Sequence, residues 1–99
     1  KIYTSRRTCF ADMIILVFFD WNASSKELQR WNSQFEEACE ERGMTFKGLY
    51  GPMGQKFNFT WIIESDSVDK FIATTAAVNR PPAMTHYITE VLIPQELDD

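Results

Sequence analysis

The sequence predicts an α+β domain with elements in the order β-α-β-β-α-β, and three observations carry that prediction. Seven apolar residues, MIILVFF at positions 13–19, run unbroken into Asp20. Ser24 and Glu27 then form an S-x-x-E pair ahead of Leu28, Trp31, Phe35, Ala38 and Cys39, which recur at helical spacing. Further on, Phe57, Phe59, Trp61 and Ile63 alternate with Asn58, Thr60, Ile62 and Glu64, the period-two pattern of a strand with one face on a core.

The first run is too short to span a bilayer, which takes about 20 apolar residues. Its β-branched and aromatic content favours strand over helix. Ile14, Leu16 and Phe18 point to one side and Ile15, Val17 and Phe19 to the other, so both faces need cover. The connection 22–25 leads into a helix over 25–42, which Gly43 is placed to end in the left-handed conformation. Glu36, Glu37, Glu40 and Glu41 lie mostly off the apolar stripe. They read as a solvated helix face in preference to a cation site.

Two extended runs follow, 44–50 and 57–64, joined by the turn-rich GPMGQK at 51–56. The face carrying Phe57, Phe59, Trp61 and Ile63 is expected to meet the helices. A second helix starts near Ser65 or Asp66, either of which can cap it, and ends by Asn79. Val68, Phe71, Ile72, Thr75 and Ala76 form its expected inner side. Arg80-Pro81-Pro82 stops any helix. A last strand runs over 85–93 and Pro94 closes it.

This is the ferredoxin-like layout, a four-stranded antiparallel sheet with two helices on one face. Its other face stays open. An open face lined by Ile, Leu and Phe is a larger exposed apolar patch than soluble monomers carry, and the simplest cover is a second copy in a two-fold homodimer. The expected organisation is an N-terminal extension at 1–12, with a short extra strand packed by Ile2, Tyr3 and Phe10 as its alternative, the domain at 13–94 and an acidic tail at 95–99.

Composition narrows the partners. Hydrophobic residues at 44% and charged residues at 24% fit a globular protein. A net charge of -4 argues against nucleic acid and anionic membranes. It also disfavours an RNA-binding ferredoxin-like domain, whose aromatic strand signature is missing. Cys9 and Cys39 make no disulfide framework and no metal motif, so two free thiols in a reducing cytoplasm is the expected state. Lys1, Arg6 and Arg7 before the apolar run imitate a signal peptide, but Asp20, Trp21 and Asn22 stand where small cleavage-site residues belong. The glycosylation-like triplets at Asn22 and Asn58 are short enough to arise by chance.

His86 is the single histidine and the side chain whose unperturbed charge changes near neutral pH. It shares a face of the last strand with Ile88, Glu90 and Leu92, while Tyr87, Thr89, Val91 and Ile93 share the other. If the first face lines the open side, His86 is the candidate general base and Glu90 its orienting carboxylate. The plainer reading of the pair is a strand-end histidine with a solvent-facing glutamate. Asn58, Thr60, Asp20 and Tyr50 are the candidate ligand-binding groups, a few polar side chains in a mostly apolar pocket. No metal site is expected. Trp31 and Phe35, four apart on one helix, fit core packing better than a cofactor box. The 51–54 turn lacks phosphate-loop spacing.

Over 13–94, the layout, the length and the doubly apolar first strand resemble the dimeric α/β-barrel superfamily. There, two ferredoxin-like chains pack sheet to sheet around a cavity. The superfamily includes small cofactor-independent monooxygenases, muconolactone isomerases, haem-degrading enzymes and many proteins of unknown role. The resemblance is one of pattern, with no family catalytic motif matched residue by residue, so no activity is carried over. Haem-degrading members combine Asn, Trp and His around their cofactor, and this chain has those residue types without the matching context. What the resemblance implies is a homodimer around a cavity; with His86 and Glu90 facing that cavity, the first hypothesis is a cofactor-independent enzyme of monooxygenase or isomerase type acting on a small apolar or aromatic compound. The alternative within the same fold is a non-catalytic ligand-binding or assembly module.

Overall fold

The computed structural model describes residues 12–51, 57–95 and 97. The readings of 1–11, of the 52–56 turn and of most of the acidic tail lie outside those residues. Strand β1 is Met13–Trp21, helix α1 Ser25–Glu41, strand β2 Thr45–Tyr50, strand β3 Phe59–Ser65, helix α2 Val68–Ala77 and strand β4 Met84–Leu92. The order is β-α-β-β-α-β, as the sequence predicts. The strands form one sheet in the order β2-β3-β1-β4 with every neighbouring pair antiparallel.

Helix α1 begins where the S-x-x-E pair places it. The Ser24 hydroxyl accepts from the Glu27 N–H at 3.2 Å, and the Glu27 carboxylate accepts from the Ser24 N–H at 3.4 Å. Its buried residues are Leu28, Trp31, Phe35, Ala38 and Cys39, the stripe read from the sequence. At its end Gly43 takes φ 82°. The Met44 N–H bonds back to the Cys39 carbonyl and the Gly43 N–H to the Glu40 carbonyl, the paired closure of a Schellman motif. Cys39 and Met44, the two ends of that closure, are both buried in the core.

Helix α2 departs from expectation in two ways. Its N-cap is Ser67 rather than Ser65 or Asp66. Ser65 is still in the ladder opposite Met13, and its hydroxyl bonds the Ser67 N–H and carbonyl. Asp66 instead pairs with Lys70 at 2.9 Å. The buried side of α2 is Phe71 and Thr74, while Val68 and Ile72 are exposed. Thr74 is tolerated inside because its hydroxyl donates to the Lys70 carbonyl.

The core lies between the helices and the inner face of the sheet. Ile15, Val17 and Phe19 of β1 and Trp61 and Ile63 of β3 meet Leu28, Trp31 and Phe35 of α1. Phe35 and Trp61 stack at 3.9 Å between ring centroids, and the Trp61 indole N–H donates to Asn32 at 2.9 Å. Phe57 is not in this core. A bend at Asn58 breaks the alternation before β3 begins, and the Phe57 ring lies 5.7 Å from that of Phe18 on the open side.

Candidate functional site

The open face is laid out by register, since directly paired residues point to the same side. Phe18 pairs with Thr60 of β3 and with Ile88 of β4, Thr60 pairs with Tyr50 of β2, and Leu16 pairs with Ile62 and Glu90. Ile14, Leu16, Phe18 and Ile62 are half-buried, and Ile88 and Leu92 are each 49% exposed. Neither helix reaches this side.

Five of the six candidate residues gather at one end of that face, where β1 finishes. The Asp20 carboxylate is the centre. One oxygen accepts from the Asn58 N–H at 2.9 Å, and the other lies 3.3 Å from His86 Nδ1. Thr60 and Tyr50 flank Phe18 one residue pair away. Tyr50 is half exposed, whereas Thr60 is buried and its hydroxyl has no partner among the described residues. Glu90 stands apart, exposed and opposite Leu16. The carboxylate beside His86 is Asp20.

The backbone explains that substitution of partners. Phe18 pairs with Ile88 and Asp20 with Thr85, so His86 and Tyr87 together oppose Phe19 in a bulge. His86 carries φ 48° there, a conformation that costs a non-glycine residue on the order of 1 kcal/mol or more. The bulge swings the imidazole onto Asp20 and leaves it 79% exposed. Its contact with Asp20 is an ion pair when the ring is protonated. Phe18 and Phe57, which wall this end, were not among the sequence candidates. The chain carries no turn signal at Asn58 strong enough to foretell the bend that turns Phe57 outward.

Other chemistry is sparse. Burial pushes the Cys39 thiol up to about 12, with the neighbouring Glu40 adding to the effect, so it is no nucleophile at neutral pH. Among the described residues no three His, Cys, Asp or Glu side chains gather to hold a metal ion. Among them, too, no helix is long and apolar enough to cross a membrane.

No protein family and no curated protein matches the chain by sequence. Among solved structures it is similar to the crystal structure of MtbAldR, with a TM-score of 0.53 and 13% identity. The match covers 99% of this chain and 64% of that one, so this chain spans less than two thirds of that protein's length. At such identity the likeness shows the fold, and the class of protein that fold defines is a ferredoxin-like α+β domain.

Proposed function

We propose that the chain is a self-pairing module of the dimeric α/β-barrel kind, in which two copies face sheet to sheet and enclose a small apolar or aromatic compound. One observation carries the reading: the open face presents Ile14, Leu16, Phe18, Ile62, Ile88 and Leu92 with no helix above them among the described residues. Apolar burial is worth roughly 25 cal/mol per Å². Covering several hundred Å² on each of two copies therefore supplies on the order of 10 kcal/mol before the costs of association. Asp20, His86 and Tyr50 stand at the rim of that face and supply its polar groups, with buried Thr60 behind them.

The test is the mass of the particle in solution, measured by light scattering on native chain and on Leu16→Lys, a charge at the middle of the face. The native chain is expected as a dimer and the variant as a folded monomer. A native chain that stays monomeric at micromolar concentration removes the reading. Mass spectrometry of the native dimer, denatured in organic solvent, is expected to release an apolar compound that the variant lacks.

The contact between His86 and Asp20 favours a second reading, acid–base chemistry without a cofactor on the enclosed compound. His86 takes the proton at Nε2 while Asp20 orients the ring through Nδ1. His86→Ala is expected to abolish turnover of the released compound and to spare its binding. Unchanged turnover removes His86 from the chemistry and leaves a binding module.

A further inference from the structure

The opposite side of the sheet holds a space that the pairing does not touch. A cavity of about 360 Å³ opens between α1, α2 and the inner face of β1, β3 and β4. It exists because the helices pack on β2, β3 and each other, leaving the helix side of β4 bare. Tyr87 is 48% exposed there. Val17 and Trp61 make the floor, Trp31 and Phe71 the walls, and Arg80 and Tyr87 the mouth.

The charged group at this cavity is a donor. The Arg80 guanidinium donates to the Met84 carbonyl at 2.9 Å through one nitrogen and lies 4.4 Å from the centre of the Tyr87 ring. Among the described residues no carboxylate pairs with it. Its position is thereby fixed while most of its five N–H groups stay available. Trp31, which forms a wall, is buried, and its indole N–H has no acceptor among the described residues. That N–H is closed off from the space, so Trp31 offers the cavity its ring alone. Thr75 and Thr89 add hydroxyls at the edge.

We infer that this cavity is a binding site for a small carboxylate with an aromatic or branched apolar body. The body occupies the space between Trp31, Trp61 and Phe71, and the carboxylate meets Arg80 at the mouth. A volume of this size lies in the range of small-molecule sites, which combine apolar walls with a few placed polar groups. Arginine suits a carboxylate because its planar fork matches the two oxygens. The site lies on the face away from the proposed pairing surface, so it stands whether the chain is monomeric or dimeric.

The experiment titrates the full chain with phenylacetate and, separately, with the uncharged phenylacetamide. It follows the indole N–H resonances of the three tryptophans. Phenylacetate is expected to shift the Trp31 signal saturably at millimolar concentration or below. Phenylacetamide, and phenylacetate on Arg80→Gln, are expected to bind about tenfold more weakly, the loss of a charge-assisted bond. Thr75 is an exposed residue at the cavity edge. Thr75→Phe, whose ring projects into the space, is expected to abolish the shift while the circular dichroism spectrum stays native. Absence of a saturable shift in the native chain overturns the site. Equal binding of acid and amide overturns the role of Arg80, and binding undiminished in Thr75→Phe moves the ligand elsewhere.

Discussion

The two faces of β1 are built from nearly the same residues and live in different surroundings. Ile15, Val17 and Phe19 are buried beneath the helices, two of them with no exposure at all. Ile14, Leu16 and Phe18, one position out of step, are only half-buried. Side-chain chemistry does not distinguish the two sets, and what covers them does. The helix side buries its apolar surface within the chain, and the open side leaves equivalent surface only half-covered.

The sharpest way to break that comparison is to remove a large side chain from each side. Trp61→Ala deletes the ring stacked on Phe35 and the bond to Asn32, and is expected to lose about 3–5 kcal/mol in urea unfolding. Leu16→Ala, measured under conditions where the chain is monomeric, is expected to lose less than half as much. Equal losses mean that the two faces are equally buried. At the α1 terminus, Gly43→Ala places a Cβ where φ is 82°. The nearest atom to that Cβ is the mobile end of Lys70 at 3.3 Å, so the strain is in the backbone and the expected loss is about 1–2 kcal/mol. Ser24→Ala removes the cap at the other end of α1 and is expected to lose about 1 kcal/mol.

A pH titration sharpens the contrast without cutting any side chain on the open face. Burial under the helices holds Cys39 as the neutral thiol, raising it from its ordinary value of 9.0 to about 12. The folded chain therefore binds the proton more tightly than the unfolded chain. The stability this contributes is whole below pH 9.0 and is lost as pH rises from there through about 12. Unfolding midpoints measured across that alkaline window are expected to fall more steeply for the native chain than for Cys39→Ala.

The difference between the faces also explains what sequence could and could not foretell. Helix α1 is read residue by residue because its single stripe meets a single surface. Helix α2 is read less well because it is short and covers only part of the sheet, so Val68 and Ile72 lie outside while Thr74 lies inside. The candidate polar residues were legible as types on strand ends. Their gathering around Asp20 depends on a bulge that places His86 at φ 48°, and a lone histidine, though enriched with asparagine and aspartate in such backbone, does not by itself mark a bulge in a sequence. The helix-side cavity leaves no trace in any one stretch, because it is the gap between two helices and a strand that neither covers.

Strand β1 sits at the centre of the sheet yet precedes both of its neighbours along the chain, with β3 and β4 arriving well after it. Among the described residues its ladder partners all lie at Phe59 or further along, so its pairing closes only after most of the domain has been made. Long-range pairing of that kind slows folding and prolongs the interval in which nascent molecules can stick to one another. Refolding from denaturant is accordingly expected to lose more material to aggregation as chain concentration rises, even where the finished sheet is stable.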